Sequence, residues 1–68
     1  MNEFQGSIRY YSEKGFGFIR RDDRSADVFF HVSQFMADIQ PEAGMRVSFD
    51  ISDSQRTGRQ QAVGLQIL

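Results

Sequence analysis

The residues best suited to chemistry in this chain fall in two short runs, Lys14-Gly15-Phe16-Gly17-Phe18-Ile19 and Val28-Phe29-Phe30-His31-Val32. Successive side chains of a strand point to opposite faces. Phe16 and Phe18 therefore share one face of the first run, and Gly15, Gly17 and Ile19 share the other. A core-facing set would not place glycine twice where packing mass is needed, so the phenylalanines are expected to face outward. In the second run Phe29 and His31 share a face. Exposed rings on adjacent strands, bordered by Arg9 and Lys14, suit the stacking of unpaired nucleic-acid bases, with the cations meeting backbone phosphates. The competing reading, in which Phe16, Phe18 and Phe29 are simply core, leaves one face bare and the other overfilled.

Other chemistries are poorly supported. One histidine and no cysteine rule out a multi-histidine metal site, a thiolate zinc site, a disulfide and a cysteine nucleophile. No pair of carboxylates sits in an apolar setting, so no acid–base set for an enzyme is visible. There is no phosphate-binding glycine loop, and neither a cofactor nor a small-molecule substrate is expected. The start, Met1-Asn2-Glu3-Phe4, lacks the basic and apolar regions of a signal peptide. No apolar stretch reaches the roughly 20 residues of a membrane span. These features lead us to expect a cytoplasmic protein with no membrane partner.

Net charge is −1, which argues against gripping duplex DNA by phosphate neutralisation alone. The cations are nonetheless clustered. Arg9, Lys14, Arg20, Arg21 and Arg24 lie close in sequence, interrupted by Asp22, Asp23 and Asp27, and Arg56 and Arg59 form a second pair. The neighbouring aspartates are expected to hold Arg20, Arg21 and Arg24 in surface pairs worth little. Arg56, in a loop that the fold can bring to the rim of the rings, is a further candidate.

The elements that would position these side chains are short strands. Phe4 to Tyr11 alternates, with Gly6, Ile8 and Tyr10 on one side. Phe16 to Arg21 and Val28 to Val32 follow, separated by the turn cluster Asp22-Asp23-Arg24-Ser25. Ser33 reads as the cap of a short helical turn through Asp38, and Pro41 to Gly44 closes that connection. Arg46 to Ser52 alternates with Val47, Phe49 and Ile51 on one face. A polar hairpin loop, Asp53 to Arg59, leads to Ala62–Leu68, with Val63, Leu65 and Ile67 in alternation. Five short strands in 68 residues make one domain, over 1–68. A closed five-stranded antiparallel barrel of the oligonucleotide-binding type (OB-fold) leaves no exposed edges. The expected core is Ile8, Ile19, Val28, Phe30, Val47, Phe49, Ile51, Val63 and Leu65, with Phe35 plugging an open end.

The first run also fits the start of the ribonucleoprotein consensus of RNA recognition motifs. That consensus wants an aromatic where Arg21 stands, and its fold needs two amphipathic helices for which no sustained 3.6-residue apolar period exists here. From Gly6 to Leu65 the chain instead resembles the cold-shock domain family. The resemblance rests on Arg9-Tyr10-Tyr11, Lys14 to Ile19, Asp27 to Ser33 and Gln61-Ala62-Val63-Gly64-Leu65.

It implies a five-stranded barrel that binds single-stranded RNA or DNA with modest sequence preference, often as an RNA chaperone or transcription antiterminator. Carried onto this sequence, it implies a platform of Phe16, Phe18, Phe29 and His31, joined by Tyr10 where the family usually has tryptophan. Tyr11 replaces a phenylalanine and Gly64 an asparagine. Phe30 stands at a small aliphatic position, and Val32 where a stacking phenylalanine is common. The Gln34–Ala43 connection is shorter than usual and lacks the mobile aromatic of relatives unless Phe35 supplies it. A monomer is expected, with dimers by strand exchange open to so small a barrel. The alternative from another class is a small interaction barrel whose aromatic face forms a peptide groove.

Overall fold

The computed structural model describes residues 4–53 and 58–68. Strands β1 (Phe4–Ser12), β2 (Phe16–Arg21), β3 (Val28–His31), β4 (Arg46–Asp53) and β5 (Gln60–Ile67) form a closed barrel in the order β1-β2-β3-β5-β4. Antiparallel ladders join β1 to β2, β2 to β3, β4 to β5 and β1 to β4. The expected five-stranded barrel is present, with one parallel pair among its antiparallel ladders. The barrel closes along β3 and β5 by a parallel seam, Phe29 opposite Gln61 and Phe30 opposite Ala62. Closure satisfies the backbone groups that an open sheet of this size would leave at its edges.

The core is Ile8, Ile19, Val28, Phe30, Val47, Phe49, Ala62 and Leu65. Phe4, Tyr11, Phe35, Met45 and Ile51 pack around it while partly exposed. Ile51 therefore sits at the margin of the core, whereas Val63 is replaced inside by Ala62. The reason is a bulge. Ser48 pairs with Gln66 and Asp50 with Val63, so β5 carries an extra residue opposite Phe49. Gly64 lies there with φ +62°, a left-handed conformation that glycine adopts without a Cβ penalty. The strict alternation Val63-Leu65-Ile67 is broken, and Ala62 and Leu65 both turn inward.

A second bulge shapes β1. Ile8 pairs with Ile19 but Tyr10 with Phe18, so Arg9 is the extra residue. The simple alternation that placed Tyr10 beside Ile8 is thus wrong by one. Tyr10 turns outward, and Tyr11 turns inward to stack on Phe30, with ring centroids 6.1 Å apart. Phe30 also meets Phe35 edge-on at 5.8 Å. The room for its ring comes from Gly17, where an added Cβ would lie 2.8 Å from Phe30 Cε1 and 2.2 Å from the Tyr10 carbonyl oxygen. Gly17 is thus an inward position already filled from across the ladder.

The short helical segment is a single 3₁₀ turn, Val32–Gln34, and its cap is His31 and not Ser33. Met36 N–H donates to the Leu65 carbonyl at 2.9 Å, and Val32 N–H to the Gly15 carbonyl at 2.8 Å. These bonds hold the segment after β3 against the barrel end and turn Phe35 into the core cluster.

Candidate nucleic-acid interface

The pleat and the first bulge together arrange the outward rings in rows across β1, β2 and β3. Tyr10, Phe18 and Phe29 are direct cross-strand neighbours, and Ser12, Phe16 and His31 form the next row. Tyr10 is 52% exposed and Phe18 39%, which excludes both from the core. Phe16 and Phe29 are half-buried because they support each other, stacked at 6.0 Å with 25° between planes. Phe18 meets Phe29 edge-on, also at 6.0 Å. Offset stacks and edge contacts at this separation are favourable and hold rings in place. The structure therefore gathers Tyr10, Phe16, Phe18, Phe29 and His31 on one face.

His31 is exposed but its ring is tethered. Ser33 N–H donates to Nδ1 at 3.1 Å, and Ser33 Oγ lies 2.8 Å from the same nitrogen. A backbone N–H can only donate, so Nδ1 is the unprotonated nitrogen and Nε2 carries the proton. The ring that caps the 3₁₀ turn thus presents an N–H donor at its far nitrogen.

Lys14 lies in the turn before Phe16, with its backbone N–H on Ser12 Oγ at 3.2 Å. Gly15, at φ +96°, completes that turn. Lys14 is exposed at the border of the Phe16–His31 row. Arg9 borders the other row but is held by Asp27 at 2.8 Å, its side chain still 67% exposed. Arg56 lies outside the described residues. A depression of about 740 Å³ adjoins Phe18 and Phe29, bounded by Arg21, Asp27, Arg59 and Gln61 among others. The polar rim that β5 contributes to it was absent from the candidate set, because only the parallel seam brings Gln61 beside Phe29.

The expected surface pairs are only partly present. Arg21 reaches Asp23 at 2.5 Å and lies over the Phe4 ring at 4.8 Å. Arg20 and Arg24 hold no carboxylate among the described residues. Asp22 instead takes both arms of Arg46, at 2.7 and 2.5 Å, and Arg46 also donates to Ser7 Oγ at 3.1 Å. The hydrogen bond from Arg46 keeps the Asp22 carboxyl below its ordinary range, and Arg46 is raised in return. Asp23 is lowered chiefly by the Ser25 backbone N–H, helped by Arg21. Among the described residues no group of histidine and carboxylate side chains could hold a metal ion. No helix there is long and apolar enough to cross a membrane.

Comparison with known proteins agrees with the barrel fold. The family model described as "'Cold-shock' DNA-binding domain" matches residues 4–68. A cold shock-like protein of Aquifex aeolicus (strain VF5) is 37% identical over 67 residues, covering 88% of this chain and 90% of that protein. The cold shock-like protein CspC of Bacillus cereus is 46% identical over 55 residues, 76% of this chain and 83% of its own length. Among solved structures, Drosophila Unr CSD456 matches with a TM-score of 0.80 at 30% identity, covering 96% of this chain and 26% of that one. The chain thus spans about a quarter of that structure's length. The expected resemblance holds over nearly the full sequence: the chain belongs to the cold-shock domain family of nucleic-acid-binding proteins.

Proposed function

We propose that this barrel binds single-stranded RNA or DNA by stacking bases on Tyr10, Phe16, Phe18, Phe29 and His31. Lys14, Arg9 and Arg56 meet the phosphates. The observation that carries the reading is the outward cross-strand row Tyr10–Phe18–Phe29, with Phe16 and His31 beside it. Stacking contributes about 1–3 kcal/mol per base and every base has a π-face, so preference among sequences is modest. The His31 Nε2–H adds one directed donor for a base or phosphate oxygen. Because unpaired strands bind and paired ones do not, mass action draws hairpins toward their open forms. That suffices for an RNA chaperone or an antiterminator acting as a monomer, without ATP or any other cofactor.

The departures from the family pattern adjust this activity. Tyrosine at position 10 offers a smaller ring than tryptophan. Phe35 turns into the core cluster against Phe30 and so does not serve as a cover over bound bases. Val32 supplies no ring. The platform is therefore smaller than in relatives, and binding is expected to be weaker.

The test is a fluorescence-anisotropy titration with labelled oligothymidine and with a duplex of the same length, each at low and moderate salt. Single-strand binding with a shallow salt slope and weak duplex binding is the expected result. Failure to bind either form would overturn the proposal and bring forward the peptide-groove reading of the same face.

A further inference from the structure

The ion pairs on the outer surface redistribute the available cations. Arg9, Arg21 and Arg46 each hold a carboxylate, from Asp27, Asp23 and Asp22 respectively. Arg20 holds none among the described residues, although Asp22 lies two positions away in sequence. Its place is informative. Along β2, Phe16, Phe18 and Arg20 share one face, so Arg20 extends the line of the two rings by one further step of about 6.8 Å. Its direct neighbour across the ladder is Ser7, and the neighbour of Ser7 on β4 is Arg46. Ser7, Ile8, Arg9 and Arg20 line a separate depression of about 530 Å³.

The chemistry of that depression suits one phosphate. Arg20 brings a planar fork of N–H donors matched to two phosphate oxygens. Ser7 Oγ accepts from Arg46 Nη1 at 3.1 Å, which leaves its own proton free to donate. We propose that Arg20 and the Ser7 hydroxyl form a phosphate subsite that fixes the path of the strand beyond the base stacked on Phe18. The single strand then runs along β2 from the Phe16–His31 row toward Ser7, and does not turn off the sheet after the Tyr10–Phe18–Phe29 row. Arg20 holds no carboxylate among the described residues, whereas Arg9 reaches phosphate while sharing its charge with Asp27. The inference rests on the reading that single strands bind this face.

The experiment uses the full chain and a labelled 5′-hydroxyl oligothymidine, which carries internucleotide phosphates alone, titrated over a range of salt. Wild type is compared with Arg20→Gln, Arg20→Lys, Ser7→Ala and, as a charge control in the turn, Arg24→Gln. Thermal melts confirm that each variant is folded. Arg20→Gln should weaken binding several-fold and reduce the slope of log K against log salt by about 0.7, the value for one contact to a single strand. Arg20→Lys should restore the slope while recovering only part of the affinity, because a point charge replaces the fork. Ser7→Ala should cost less and leave the slope in place. An unchanged slope in Arg20→Gln, or an equal loss in Arg24→Gln, overturns the subsite. Phe18→Ala separates the two readings: if wild type does not bind, or Phe18→Ala binds as wild type does, the stacking platform itself has failed.

Discussion

Two aromatic clusters lie back to back across the β1–β2–β3 wall of this barrel. Phe30, Tyr11 and Phe35 meet inside it, at centroid separations of 6.1 and 5.8 Å. Phe16, Phe18 and Phe29 meet outside it, at 6.0 Å in both of their contacts. The ring contacts are alike in length; what differs is what lies on the free sides of the rings. Phe30 is wholly buried, and every face of its ring is satisfied by protein. Phe18 is 39% exposed, and Tyr10 beside it 52%. A ring enclosed on all sides stabilises the fold, whereas a ring supported from behind and open in front leaves a π-face uncovered, as the proposed stacking requires. Adjacent residues Phe29 and Phe30 take these opposite parts only because of the pleat.

The largest effect should come from the inside. Phe30→Ala removes a ring that fills the space left by Gly17, at a cost of about 3–5 kcal/mol. A domain of this size has only a few kcal/mol in total, so urea denaturation should find the variant largely unfolded at room temperature. A folded Phe30→Ala that has lost only oligonucleotide binding would invert the comparison.

Next comes the outside. Phe18→Ala should weaken oligothymidine binding by about tenfold or more, following the stacking loss of one base. Its cost to stability should stay near about 1 kcal/mol, the worth of an edge contact with Phe29. Anisotropy and thermal melts on the same sample separate the two quantities. Loss of the folded baseline would show Phe18 to be core after all.

The bulge at Arg9 permits a sharper division within a single dipeptide. Tyr10→Ala should lower affinity by about 1–2 kcal/mol and leave the melting temperature nearly unchanged. Tyr11→Ala should lower stability by a similar amount, because it takes away the stack on Phe30, and should leave affinity nearly unchanged. Parallel titration and denaturation of the two variants read this directly. Exchanged effects would mean that β1 continues without a bulge and that Tyr10 sits inside.

Much of this arrangement was legible in the sequence because a period of two is a local signal. Phe16/Phe18 against Gly17/Ile19, and Phe29/His31 against Phe30, assign their faces without reference to any partner strand. The same logic failed at Tyr10 and at Val63, where one extra residue shifts the phase. A bulge is a property of two strands in register, and β1 shows it only when Tyr10 is set opposite Phe18. Gly64 was a visible irregularity in β5, but its meaning depends on Phe49 across the ladder. The ion pairs were obscured for a related reason. Proximity in sequence suggested Asp22, Asp23 and Asp27 as partners for Arg20, Arg21 and Arg24. The barrel instead brings Asp22 to Arg46, which is remote in sequence but adjacent across β1, and Asp27 to Arg9. The parallel seam beside Gln61 follows from closure, which no segment reports alone. The outward aromatic face was therefore readable from its own residues, whereas its charged and polar borders required the assembled barrel.

The smallest expected effect marks the boundary of the comparison, because it concerns a contact that belongs to neither ring cluster. Asp22 and Arg46 are both exposed and bonded through both guanidinium arms, and the Arg46 hydrogen bond holds the Asp22 carboxyl below its ordinary value. A carboxylate whose folded pKa is depressed stabilises the fold above its unfolded value, about 3.9, and loses that contribution as pH falls through the folded pKa. Asp22→Asn should therefore melt slightly below wild type at neutral pH, and the two melting curves should converge in acid below about pH 4. Thermal melts across that range test the sign. A gap that widened in acid would mean that the Asp22 carboxylate is not stabilised by folding, and the pairing with Arg46 would then contribute nothing to the fold. Exposed pairs are typically worth about 1 kcal/mol or less, so the gap should remain far smaller than the loss in Phe30→Ala.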